Sequence, residues 1–123
     1  MSRTSLANAK AELVTLTASI TGVTERFDHH PTSPTGLRGP VSLAVFTAGM
    51  DADFWQIGLR LFVTAAVDPK QAQDDLDVLM PLIDVATNNG GFGPSNWSVD
   101  FPTEEAPFFA ATCIFNVGRQ DYY

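Results

Sequence analysis

The chain has 123 residues, 45% of them apolar, and 14 acidic against 7 basic side chains give a net charge of −7. That length makes one domain with enough chain for a real core, and the apolar content excludes general disorder. The negative field argues against a tight grip on phosphate backbones, and the single cysteine excludes an internal disulfide framework or a zinc site built on several thiolates.

Residues 5–20 are predicted to form an amphipathic helix. Leu6, Ala9, Leu13, Leu16 and Ile20 recur at spacings of three and four on one face, while Lys10, Glu12, Thr15 and Ser19 fall elsewhere. Gly22 is placed to stop the helix. No basic stretch followed by an apolar core opens the chain, so no secretory signal is expected. Residues 23–28, VTERFD, alternate weakly and read as a short strand. The next stretch, FDHHPTSPTGLRGP over 27–40, carries Pro31, Pro34, Pro40, Gly36 and Gly39. Those residues forbid a continuous helix or central strand and predict an extended, exposed loop.

VSLAVFT (41–47) reads as a strand and AGMDAD as the turn after it. FWQIGLRLFV (54–63) gives the clearest alternation, with Trp55, Ile57, Leu59, Leu61 and Val63 on one face. Phe54, Gln56, Gly58, Arg60 and Phe62 take the other face, and the two strands are expected to pair as a hairpin. A second helix follows, with Asp68 as N-cap and Pro69 at its first position. Its apolar stripe is Ala72, Leu76, Leu79, Met80, Ile83 and Ala86, with Asp74, Asp75, Asp77 and Asp84 facing mostly outward. Pro81 should kink or split it, and Asn88–Gly91 should end it. WSVDF (97–101) alternates again, placing Trp97, Val99 and Phe101 on one face. PTEEAP is a loop, and FFAATCIFNV (108–117), apolar on both faces, is a central strand. The whole predicts an α+β domain: a mostly antiparallel sheet packed by two helices, over residues 1–123.

The candidate chemistry is sparse. His29 and His30 are adjacent, so their rings diverge on a strand and converge on a loop only with special geometry. Asp28 is a conceivable third metal ligand, but a solvated or partner-contacting loop is the preferred reading. Asp74 and Asp77 share a helix face, as paired carboxylates do, yet acids in the first turns also suit the helix dipole. DAD at 51–53 lacks the glycine and distal glutamate of a calcium loop. NNGGFGPSN follows a helix and has no lysine, unlike a phosphate-cradling loop. Cys113 lies among apolar residues and reads as a buried small hydrophobe. This inventory argues against an enzyme and calls for no metal or cofactor.

The order of elements carries more. An N-terminal amphipathic helix leads into an extended loop ending in GP, then the hairpin VSLAVFT…FWQIGLRLFV. A helix beginning DPKQAQDDLDVLMPLID and an Asn-Gly link precede the last strand, FFAATCIFNV. Over essentially its whole length this resembles the tail terminator proteins of long-tailed, non-contractile bacteriophages (siphophages), as in phages of actinobacteria. The resemblance implies a hexameric ring that caps the tail tube, stops polymerisation of the tube protein and offers a surface to the head-completion or connector protein. It also implies that genomic DNA passes through the lumen without specific binding, and that the protein is assembled in the host cytoplasm and resides at the head-proximal end of the tail. On this reading the loop over 27–40 touches a neighbouring subunit or ring. His29, His30, Arg38 and Arg60 are the expected contacts, with Arg38 suited to an acidic neighbour. A head-closure or tube protein remains the nearest alternative. An α+β domain with a ligand pocket between sheet and helices, lined by Trp55, Trp97 and phenylalanines, is a more distant one.

Overall fold

The computed structural model describes residues 6–30, 40–50, 53–65, 68–93 and 96–118. Along the chain come α1 (Leu6–Thr17), β1 (Glu25–Phe27), β2 (Val41–Met50), β3 (Phe54–Thr64), α2 (Pro69–Asn89), β4 (Trp97–Asp100) and β5 (Phe108–Gly118). The strands form a five-stranded sheet in the order β1-β2-β3-β5-β4. β1 runs parallel to β2, and the other neighbours are antiparallel. α1 lies against β2 and α2, and α2 lies against β3 and β5. The domain is α+β, as the pattern of elements predicts.

The two-residue period of β3 decides which side becomes the core. Leu59 sits between Val45 and Cys113, and Leu61 between Leu43 and Ala111, so one face of three strands is continuously apolar. Leu13 of α1 and Leu76, Leu79 and Ile83 of α2 close over it. Leu13, Leu43, Ile57, Leu59, Leu61, Leu76 and Ile83 are all fully buried. Each such side chain contributes about 1.5–3 kcal/mol over leaving it in water. Cys113 is buried in the same layer, where it packs as a small apolar group.

Several boundaries differ from expectation for identifiable reasons. α1 ends at Thr17, not at residue 20, and the chain then tightens through Ala18 N–H to Thr15 O and Ile20 N–H to Thr17 O. Gly22, at φ 95°, serves the turn beyond the helix, not its end. Arg26 completes the stop, donating to Thr17 O at 2.8 Å and Ile20 O at 2.7 Å. Glu12, assigned to the polar side, is buried beside the stripe of Ala9 and Leu13. Thr17 and Thr87 join the core because each hydroxyl donates to its own helix, to Leu13 O and Ile83 O.

α2 is a single helix from residue 69 to residue 89, so Pro81 does not split it. Pro81 lies on the exposed side, where water can solvate the Asp77 carbonyl that loses its i+4 donor. The cap forms as expected, Gln71 N–H donating to Asp68 Oδ1 at 3.0 Å. β2 continues to Met50, through residues assigned to a turn, with a register shift between Thr47 and Gly49 that marks a bulge. β4 stops at Asp100. Phe101, one residue past the strand, is 72% exposed, and its ring meets the edge of Phe109, on the face of β5 whose Ala111 and Cys113 pair with Val99 and Trp97. None of the described helices is long and apolar enough to cross a membrane.

Candidate interaction surfaces

The helices cover one face of the sheet. The other carries the alternate residues of the strands: Phe46 on β2, Arg60 and Phe62 on β3, Phe108 and Ala110 on β5. Ala44, Phe62 and Ala110 form a small second cluster there, with Phe27, Phe46 and Phe108 packed around it. Residues after β1 turn over this face. The His30 ring stands edge-on to Phe46, centroids 4.9 Å apart, and to Phe62 at 5.9 Å.

Arg60 is the polar centre of this surface. One terminal nitrogen lies 3.2 Å from His30 Nε2, and the other donates to Asp100 Oδ2 at 3.1 Å. A guanidinium only donates, so His30 accepts through an unprotonated Nε2. The Arg60 Cζ also lies 5.3 Å from the Phe62 ring centroid, a cation–π distance. The Arg60 Nε is buried with no hydrogen-bond partner. This side chain thereby ties β3 to β4 across the intervening β5, and to the segment leaving β1.

The two histidines diverge. His29 Nδ1 donates to Asp28 Oδ1 at 3.0 Å, and its ring meets the edge of Phe27. That hydrogen bond, made by an exposed pair, holds the Asp28 carboxyl below its ordinary 3.8. Among the described residues no three His, Cys, Asp or Glu side chains gather as a metal site. Of the expected contact residues, His30 and Arg60 come together and His29 points elsewhere. Arg38 and residues 31–39 of the loop lie outside the described residues, as do Asp51 and Ala52 of the hairpin turn and Pro94 and Ser95 of the glycine-rich link. Asp100, Phe46 and Phe108 complete the surface but were not expected. The signal for them was present in β5, whose apolar character on both faces requires something to cover each side.

The acids of α2 are paired along the helix. Lys70 reaches Asp74 at 3.0 Å, Gln71 reaches Asp75 at 2.9 Å, and Gln73 reaches Asp77 at 3.2 Å, each one turn on. An open groove of about 460 Å3 lies on α1, lined by Ala7, Lys10, Ala11, Val14, Thr15 and Asp28. Trp55 and Trp97 are not part of that groove; both pack, partly buried, against the core. No family model matches the sequence, and no curated protein matches it.

Proposed function

We propose that the chain is a structural virion protein of the tail terminator kind. In this role it forms a ring that caps a phage tail tube, ends polymerisation and presents a joint to the head-completion proteins. The observation that carries the reading is the pair of open strand edges. β1 pairs only with Ser42–Ala44 of β2, and β4 only with Ala110–Cys113 of β5. Val45–Met50 and Ile114–Gly118 therefore have no strand on their outer sides among the described residues. Neither segment contains a charge or a proline, the common guards against edge pairing; the β2 bulge is the only such device.

β2 and β5 are each antiparallel to β3, so they run in the same direction on opposite flanks. Copies laid side by side bring the β5 edge of one to the β2 edge of the next. Such a contact is head-to-tail, and head-to-tail contacts close into rings when the rotation allows. Six subunits, passage of DNA through the lumen and a place at the head-proximal end of the tail rest on the resemblance in element order. The reading assigns no catalysis and no cofactor.

The test is native mass by light scattering, with negative-stain images. Closed rings without long tubes support a terminator; long tubes favour a tube protein instead. If the protein is monomeric, purified tail tubes are added, and failure to bind their ends overturns the proposal.

A further inference from the structure

Three of the large apolar side chains left in water lie on one helix. Val78, Leu82 and Val85 of α2 are 61%, 46% and 58% exposed. Their i, i+4, i+7 spacing makes a continuous stripe on α2, about a third of a turn around the helix from Ala72, Leu76, Leu79 and Ile83, which face the core. A stripe of this kind is the usual footprint of a helix-in-groove or helix-on-helix contact.

The surroundings of the stripe select the partner. Asp74 and Asp77 flank it on one side and Asp75 on the other, with Lys70 the only basic residue of α2. Pro81 adds an acceptor, because it offers no N–H to the Asp77 carbonyl on the same exposed side. The surface thus presents apolar contact between rows of acceptors. A second copy of this chain is a poor match, since the same face brought against itself opposes carboxylates to carboxylates. Other described surfaces supply little positive charge: Arg26 is engaged at the end of α1, Arg60 at His30 and Asp100, and Lys70 at Asp74, which leaves Lys10. We infer that the outer face of α2 docks a basic, amphipathic helical segment of another protein, its apolar side on Val78, Leu82 and Val85 and its lysines or arginines against the aspartates. The inference is independent of ring formation by the strand edges.

The probe is a fluorescent peptide about four turns long, with leucines at matching spacing and lysines elsewhere; a glutamate version with the same leucines is the control. Fluorescence anisotropy with the full chain should show the lysine peptide binding at least about tenfold more tightly than the control. V78S/L82Q/V85S should weaken binding about tenfold or more while leaving the melting temperature in place. Amide shifts of the unmodified protein on titration should centre on residues 74–85, which tests the site without any variant. Binding that survives the triple substitution, or shifts centred elsewhere, overturns the proposal. So does a fall in native mass on triple substitution, which would make a second copy the occupant.

Discussion

At the scale of single residues, the side chains with the most consequence are those that join elements. Arg26 stands on a strand of three residues, yet it takes up the Thr17 carbonyl at the end of α1 and the Ile20 carbonyl in the turn beyond it. It thus satisfies an acceptor that a helix leaves open at its C-terminus, with the charge sign that the helix dipole favours. Arg26→Ala is expected to lower stability by about 1–2 kcal/mol, because charge-assisted hydrogen bonds are lost and the carbonyls are left to water. Arg26→Lys, which has one ammonium for two diverging carbonyls, should recover only part of that; chemical denaturation checks both. The Asp28–His29 pair gives a smaller, pH-dependent effect. A carboxyl held below its ordinary value stabilises the fold above that value and ceases to do so as pH falls through the folded one. Asp28→Asn should therefore melt slightly lower than the natural protein at neutral pH, and the difference should disappear once the pH has fallen below the lowered value of the folded carboxyl. A difference that persisted in acid would assign the effect to something other than the carboxylate charge.

At the scale of elements, α2 shows what a linear pattern reveals and what it hides. Its start was legible because Asp68 and Pro69 act through local geometry, and its buried stripe because the 3.6-residue period needs no knowledge of the neighbours. Its continuity through Pro81 was not legible. The cost of a proline depends on whether the freed carbonyl faces water or core, and only the packing of the helix decides that. The same limit applies to Glu12, which the period puts on a flank and the tertiary contacts cover. It applies equally to Arg60, whose partners His30 and Asp100 lie 30 and 40 residues away in sequence. Removing the cap and removing core contact should differ in size. Asp68→Ala is expected to cost about 1 kcal/mol, as for other N-caps. Ile83→Ala, at a fully buried site, should cost about 2–5 kcal/mol through lost contact and the cavity left behind. Thermal melts of the two variants compare them directly.

At the scale of the whole molecule, the sheet is asymmetric along its strands. At one end it is five strands wide, and at the hairpin end it narrows to β2, β3 and β5. The narrow end carries Met50 and Phe54, 63% and 43% exposed, beside the two uncharged edges. Strand edges left without a partner invite association, and among the described residues these two have none. If the edges join copies, lysines placed on them should prevent assembly without harming the subunit. Thr47 and Asn116 are exposed positions on the two edges and are suited to this purpose. Thr47→Lys with Asn116→Lys is expected to change subunit stability by less than about 0.5 kcal/mol, as surface substitutions usually do. It should convert a ring to monomers in light scattering, because joining copies would set an ammonium against an uncharged strand with no carboxylate to receive it. Val78, Leu82 and Val85 on α2 are untouched by these changes, so peptide binding there should survive ring loss. A double-lysine protein that still formed rings would place the contact between copies elsewhere, and the open edges would then need another partner.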